Sequence, residues 1–417
     1  MELFATRHPL TTDVDISSQR FWSLPFPERD RAFARLRAEA PVSWHPPIDV
    51  PYQHDQQGFW AVTRAADITA VSRNSELFQS RYGTTLDPVS VEEATGATFI
   101  LTMDPPEHSR YRSLISAAFT PRAVRQITER IERNAAAIVD SLIGAGDIDF
   151  VHACSNRLPM TTVSDIVGVP ESRREEVTQA AETLVGGGDA AGLPREEYHQ
   201  AAFAALLHLY QVGADLAAHR RRHPADDLMT NLVRAEIDGH RLTDENIGAF
   251  MVLMSVAGND TTKQATTRTM LSLQEHPEQR EWLLADLDGR IMQAVDEFVR
   301  HATPVMQFTR TAARDTELGG AQIAAGDKVA LFYCSGNRDE TVFDRPDEFD
   351  LSRPRSPHVG FGGGGAHFCL GHNVAKTQLR AIISEILTRI PKIEFGEPVP
   401  LRSTFIHGIE ALPAHIA

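Results

Sequence analysis

The chain has 417 residues, 42% of them hydrophobic, which is enough apolar material to bury a large core. Its net charge of −15 disfavours nucleic acid as a partner, and three cysteines argue against a disulfide scaffold and suit a reducing cytoplasm. The stretch 1–9 has no apolar signal region and the apolar run 250–257 falls far short of the ~20 residues that span a bilayer, so a soluble cytoplasmic protein without a membrane partner is expected.

Residues 27–40 read as an amphipathic helix with Phe33, Leu36 and Ala40 on one side, stopped by Pro41. The β-prone 58–63 leads into a helix from Ala65. From Phe78 to Thr102 no period persists, and so long an irregular stretch in a compact protein is more often a functional loop than an accident. In Met103-Asp-Pro-Pro-Glu-His-Ser-Arg-Tyr-Arg, Pro106 sits near a helix start, and His108 and Arg112 share a face at i, i+4. Two donors on one helical face suit a dianion, although taken alone a solvated helix face explains them better. Helices are predicted at 124–142, 155–167, 171–185 and 196–222, with a hinge-like break at 186–194.

The longest helix is expected to start at the N-cap Thr243, with acids in its first turn, and to end before Pro277. About thirty residues at ~1.5 Å each would cross the whole molecule. Its middle, 250–257, is apolar on every side and therefore buried. Into that setting falls Ala257-Gly-Asn-Asp-Thr-Thr262. An acid and two hydroxyls in a buried helix cost on the order of several kcal/mol unless paired, and a local widening of the helix at a functional site accommodates them. Back-bonding to the helix explains Thr262 but leaves Asp260 without a reason. Farther on, Glu297 and Arg300 stand at i, i+3, a pairing that by itself is common on surfaces. Strands are expected at 307–312, 329–332 and 404–408.

The stretch Phe361-Gly-Gly-Gly-Gly-Ala-His-Phe-Cys-Leu-Gly371 reads as a cradle for a metal-ligating thiolate, since residues without Cβ let the backbone approach a flat, bulky partner. Cys369 falls at the N-terminus of a helix, where the positive end of the dipole favours negative sulfur. Val374, Leu379, Ile382, Ile383, Ile386 and Ile390 mark the buried face of that helix. A phosphate loop is the competing reading, but no strand-GxxxxGK[ST]-helix pattern is present and Lys376 lies well inside the helix. Cys154 and Cys334 lack such surroundings and read as inert buried thiols.

Phe-Gly-Gly-Gly-Gly-x-His-x-Cys-Leu-Gly resembles the heme-binding loop of the cytochrome P450 monooxygenases. Phe361 stands eight positions before Cys369 where the usual loop has seven, an extra glycine shared with the family's actinobacterial branch that oxidises sterols and methyl-branched lipids. The resemblance covers essentially the whole chain. It implies the cytochrome P450 fold, mainly α with small β-sheets, as one catalytic domain over 1–417. The β-rich part would lie at roughly 40–75, 305–335 and 393–417, and the helical part at roughly 104–304 and 370–392. Heme b, iron protoporphyrin IX, would sit between the long central helix and the helix behind the cysteine loop. Carried over residue by residue, Cys369 becomes the iron ligand. His108, Arg112, Arg310 and His367 become propionate partners, and Phe361, Gly363, Gly365 and Ala257 lie against the cofactor. Asp260 and Thr261 become the catalytic acid-alcohol pair that relays protons. Glu297 and Arg300 become a structural pair closed by a second arginine, Arg353 in preference to Arg345. The loop at 78–102 would cover the pocket, and 186–194 would belong to its lid.

A thiolate behind heme iron favours O–O cleavage. The resemblance therefore implies a monooxygenase that activates O2 and hydroxylates a hydrophobic small molecule: a sterol, a methyl-branched lipid or a terpenoid. The expected pocket wall is apolar, with Leu253, Val256 and Ala257 from the long helix, Val305, Met306 and Phe308 after Arg300, and Phe405 and Ile406 from the C-terminal turn. No dinucleotide fingerprint or Cys-rich iron–sulfur spacing occurs in the chain. Electrons from NAD(P)H are thus expected through a separate ferredoxin and its reductase, with Arg110, Arg122, Lys376 and Arg380 as docking cations on a monomeric protein. A peroxide-driven heme hydroxylase and a non-catalytic heme-thiolate sensor are the alternatives. Relatives of the first kind replace the acid-alcohol pair, and the second has no use for Asp260 and Thr261.

Overall fold

In the computed structural model, which describes residues 8–50, 54–88, 100–116, 119, 121–185, 195–237, 239–354 and 357–417, five short strands form the largest sheet. They are β1 (Val42–His45), β2 (Phe59–Val62), β3 (Phe78–Gln79), β4 (Gln307–Ala312) and β5 (Lys328–Phe332), in the spatial order β1-β2-β5-β4-β3. β5 runs parallel to β2 and antiparallel to β4, with Val329 opposite Arg310 and Leu331 opposite Phe308. Because successive side chains alternate faces, Phe308 and Arg310 share a face with Val329 and Leu331, while Ala330 and Phe332 point the other way. Each face is buried in its own apolar cluster, which is why β2 and β5 read as continuous apolar runs.

The main helices are α1 (Phe26–Glu39), α2 (Ala65–Arg73), α3 (Glu107–Ser116), α4 (Pro121–Asp140), α5 (Arg157–Val167), α6 (Glu171–Val185), α7 (Arg195–Arg222), α8 (Asp244–Ala257), α9 (Asp260–Glu275), α10 (Leu287–Ala302) and α11 (His372–Arg389). α1 has Pro27 in its first turn and buries Phe33 and Leu36, as its periodicity predicts. All six apolar positions predicted for the inner face of α11 and its C-terminal end are buried.

α8 and α9 are the two halves of the expected long helix, and Gly258 and Asn259 separate them. The longest unbroken helix is therefore α7 and not this one. The start is as read: Thr243 and Asn246 form a reciprocal capping box. The interruption has a local cause. At Gly258 a Cβ would lie 2.6 Å from Val163 Cγ2 of α5, and the Thr261 hydroxyl donates to the Ala257 carbonyl at 3.0 Å.

By length and composition alone, Gln200–Arg222 within α7 could cross a bilayer. In the fold, Leu209, Val212, Leu216 and Ala217 of that stretch are core residues. α7 lies so close to α8 that a Cβ on Gly213 would come within 2.8 Å of the Met251 Cβ.

Two further expectations change. Residues 404–408 are not a strand: Val305 and Ile406 form an isolated bridge, and the Ser403 hydroxyl accepts the N–H groups of Phe405 and Ile406 at 3.0 and 2.9 Å, which makes the segment a turn. The helical part also contains a strand, Gly146–Asp149, which pairs with the C-terminal Pro413–Ile416. The hinge at 186–194 and the central part of the 78–102 loop lie outside the described residues.

Candidate active site

Cys369 closes the glycine loop by donating its N–H to the Phe361 carbonyl at 3.0 Å, and α11 begins behind it with Ala375 N–H on the Gly371 carbonyl at 2.9 Å. Gly362, Gly364 and Gly365 take φ values of +92°, +89° and +75°, a region that favours glycine. Gly363 and Gly365 also approach α2 closely. A Cβ on Gly363 would lie 2.5 Å from Ser72 Oγ, and one on Gly365 would lie 2.3 Å from the Ser72 carbonyl. The missing Cβ at these two glycines lets the loop seat against α2.

Burial pushes the Cys369 thiol up, and the Gly371 N–H, the Arg112 guanidinium and the His372 N–H pull it back without prevailing. A bound metal ion would favour the thiolate, the form these three groups also support. Cys154 and Cys334 are fully enclosed and pushed up to about 12, whereas Cys369 retains partial exposure.

Beside the loop, α3, β4 and residue 367 bring four basic groups together. The His108 and His367 rings lie 4.2 Å apart between centroids. Arg112 Nη2 donates to the Phe368 carbonyl at 2.5 Å, and Arg310 Nη1 donates to the Thr309 carbonyl at 2.6 Å. Burial, with repulsion from Arg112 and Arg310, depresses His108 to about 4. Burial, with repulsion from Arg310, His108 and Arg112, takes His367 to about 2. The nearest acid is already engaged: Asp104 accepts the N–H groups of Ser80 and Arg81 at 2.8 and 3.2 Å and Arg81 Nε at 3.0 Å. His108 Nδ1 is buried without a partner. Such a nest is short of an anion.

At the helix break Asp260 is buried and paired with Lys263, one turn farther on. Among the described residues no hydrogen bond joins Asp260 to Thr261. Asn259 is buried as well, and its Oδ1 has no partner.

Of the expected pocket wall, Leu253, Val256, Val305 and Phe308 are partly buried, Ala257 is exposed, and Phe308 meets Phe405 edge-on at 5.1 Å. Ile406 is buried at its bridge to Val305. Met306 is turned away. It is fully buried in the cluster that holds Phe33 and Phe332, with its sulfur 3.4 Å from Arg29 Nη1. It precedes β4 at the bend after Pro304, where strand alternation does not yet apply.

A family model described as Cytochrome P450 matches residues 199–391. A methyl-branched lipid omega-hydroxylase of Mycobacterium tuberculosis is 40% identical over 406 residues, which span 96% of this chain and 94% of the relative. The chain belongs to the cytochrome P450 family. The P450 is also 38% identical to a steroid C26-monooxygenase of Rhodococcus jostii over 96% of this chain and 83% of that one. Among solved structures, a Mycobacterium marinum cytochrome P450 in complex with pseudoionone superposes with a TM-score of 0.94 at 50% identity, covering 98% of this chain and 100% of that one. This P450 is thus a monooxygenase with the P450 fold. The family implies heme, and the residues present fit it: a single partly exposed thiol at a helix start, and a buried basic nest with an orphaned ring nitrogen.

Away from the pocket, Arg300 grips Glu297 through Nε and Nη2, both at 2.7 Å. Arg353 Nε lies 3.3 Å from Glu297, whereas Arg345 is exposed and pairs with Glu348 at 2.6 Å. Two of the expected docking cations in this P450 are already engaged, Lys376 with Asp296 and Arg380 with Glu132. Arg110 is exposed, and the Arg122 side chain lies outside the described residues.

Sequence reading missed Lys263, Ser80 and Tyr111. Lys263 was within reach, since an acid and a lysine at i, i+3 share a helix face. Ser80, 3.1 Å from His367 Nε2, and Tyr111, hydrogen-bonded to Asn246, meet partners far away in sequence and leave no local signal.

Proposed function

We propose that this P450 uses O2 and heme b to hydroxylate an apolar, branched small molecule: a sterol, a methyl-branched lipid or a terpenoid. Its electrons come from NAD(P)H through a separate ferredoxin and reductase. The observation that carries this reading is the conjunction of a partly exposed helix-start thiol, Cys369, with a buried acid and a hydroxyl, Asp260 and Thr261, at the break of an apolar helix. The names of the two curated relatives and the pseudoionone bound by the solved neighbour favour an apolar, branched substrate.

Cys369 would hold the iron, and His108, Arg112, Arg310 and His367 would hold the propionates. When bound, thiolate-ligated heme supplies O–O bond cleavage and the oxidation of an unactivated C–H bond. The chain's own residues then have three tasks. Leu253, Val256, Val305, Phe308 and Phe405 exclude bulk water and hold the substrate by apolar contact. Thr261 gives its own proton to the Ala257 carbonyl, so its Oγ1 lone pairs are left to accept from water and keep one proton donor in place. Asp260 moves protons inward from the protein side, for which its carboxylate must part from Lys263.

The test is reconstitution with a ferredoxin, its reductase and NADPH, after a spectral binding screen over sterols, branched lipids and isoprenoids. Electron-dependent product from a ligand that shifts the spin state is expected. Turnover with hydrogen peroxide alone, unaffected by Thr261→Ala, would replace this reading with the peroxide-driven one.

A further inference from the structure

A narrow cleft opens between α3 and α8, with room for about one water-sized group such as a hydroxyl. Its walls include Met103, Ile115, Ala249 and Leu253, with two polar residues, Tyr111 and Asn246. Ala249, Leu253 and Ala257 recur every fourth residue and so lie along one strip of helix surface. From Asn246 to Ala257 the helix rises by ~16 Å at about 1.5 Å per residue. A molecule lying on that strip with one end at Asn246 has its other end beside the Asp260–Thr261 break.

The polar pair is unevenly satisfied. Tyr111 donates its hydroxyl proton to Asn246 Oδ1 at 3.0 Å. The same oxygen accepts the Thr243 N–H at 3.0 Å and the Thr243 hydroxyl at 2.8 Å. A backbone N–H can meet only an acceptor, so the cap fixes which way the amide points. Asn246 Nδ2 is left without a partner among the described residues, and the Tyr111 oxygen keeps its lone pairs. One free donor and one free acceptor at the rim of an apolar cleft complement a hydroxyl group, which is both.

The charge around the pair is negative. Glu107 precedes Tyr111 by one turn of α3, and Glu245 adjoins Asn246. Burial and both of these acids hold the phenol proton in place, against the pull of the Asn246 hydrogen bond. No cation of the described residues is among the groups that act on the phenol, and Arg221 pairs with Asp244.

We propose that Tyr111 and Asn246 bind the uncharged hydroxyl end of a long apolar substrate and so select which end reaches Thr261, while a carboxylate at that end is rejected. The inference rests on the monooxygenase reading and adds to it an orientation and a head-group preference.

The probes are an iso-branched long-chain alcohol, the carboxylic acid of the same chain and the corresponding hydrocarbon. Binding to the heme-loaded protein is followed by spin-state shift and by calorimetry. The alcohol should bind about tenfold more tightly than the acid. Tyr111→Phe should weaken the alcohol by about three- to tenfold, the range of one hydrogen bond, and the hydrocarbon by less than about twofold. Glu107→Gln combined with Glu245→Gln should raise affinity for the acid several-fold and leave the alcohol unchanged. Equal affinity for acid and alcohol, or equal loss of alcohol and hydrocarbon in Tyr111→Phe, overturns the proposal. Absence of a thiolate spectrum or of electron-dependent product would instead remove the monooxygenase reading, and the calorimetric preference would still decide the role of the polar pair.

Discussion

Arg353 Nε lies 3.3 Å from the Glu297 carboxylate that Arg300 already holds by two contacts of 2.7 Å. The same carboxylate accepts the Asp350 N–H at 3.0 Å. Arg300 in turn donates to the carbonyls of Asn337, Pro346 and Glu348 at 2.7, 2.7 and 2.8 Å. One buried acid thus ties α10 to the segment that leads into the cysteine loop.

Removing that acid leaves two guanidiniums without a counter-charge, one of them fully buried, which costs about 3–5 kcal/mol. Glu297→Ala should therefore give little heme-loaded protein and a much lowered Tm. Arg345→Ala, at an exposed pair, should change stability by less than about 0.5 kcal/mol. Heme content per chain and thermal unfolding check both. Full heme content with an unchanged Tm in Glu297→Ala would refute the structural role.

Asp296 predicts a pH dependence. Burial raises its carboxyl, but hydrogen bonds from His358 and Lys376 and the two charges outweigh burial and hold it at about 2, below its ordinary 3.8. A carboxyl depressed in the folded state stabilises fully above the unfolded value, and that contribution is lost as pH falls toward the folded one. The difference is on the order of 2 kcal/mol at neutral pH. Asp296→Asn should remove it, so the stability gap between wild type and variant should be present above about pH 4 and shrink as pH falls from there toward about 2. Urea unfolding across that range measures the gap. A gap that stays constant into acid would mean the network contributes nothing through ionisation.

Among the cysteines, Cys369 combines partial exposure with backbone N–H groups directed at its sulfur. Cys369→His should abolish the red-shifted thiolate band of the reduced carbon monoxide complex. Cys154→Ala and Cys334→Ala, which alter enclosed thiols, should keep it. The opposite pattern would move the ligand to another cysteine.

What is legible in the sequence depends on how far apart the partners lie. The glycine loop, the Thr243 cap, the Glu297–Arg300 pair and the inner face of α11 are each set within a few residues, and the structure places them as read. The fold brings His108, Arg112, Arg310 and His367 together across some 260 residues, an arrangement available beforehand only through the family resemblance. Contacts made by tertiary packing were misread or missed. Gly363 and Gly365 also pack against Ser72 of α2, and Gly258 packs against Val163 of α5. Met306 turns toward Arg29 because β4 has not begun. No local pattern shows which surface a glycine faces or where strand alternation starts.

The helix break supports the sharpest test. Thr261 is anchored by donating to Ala257 at 3.0 Å, and Asp260 is buried against Lys263. Thr261→Ala removes the lone pairs that hold a proton donor but leaves the apolar wall intact. Substrate affinity and heme spectra should stay within about twofold of wild type, while product per electron pair falls by roughly tenfold and peroxide accounts for the difference. Asp260→Asn removes the carrier itself and should slow turnover by about 10²-fold. Lys263→Met leaves the buried carboxylate unpaired, at about 3–5 kcal/mol, and adding Asp260→Asn should recover part of that loss, as expected for coupled neighbours. NADPH consumed, peroxide released and product formed are measured in one reconstituted assay at saturating ligand, with Tm measured in parallel. Wild-type rate and coupling in both Thr261→Ala and Asp260→Asn would remove the relay, because no other acid and hydroxyl pair at the α8–α9 break is placed to carry protons. The peroxide-driven hydroxylase would then be the better account of Cys369 and its basic nest.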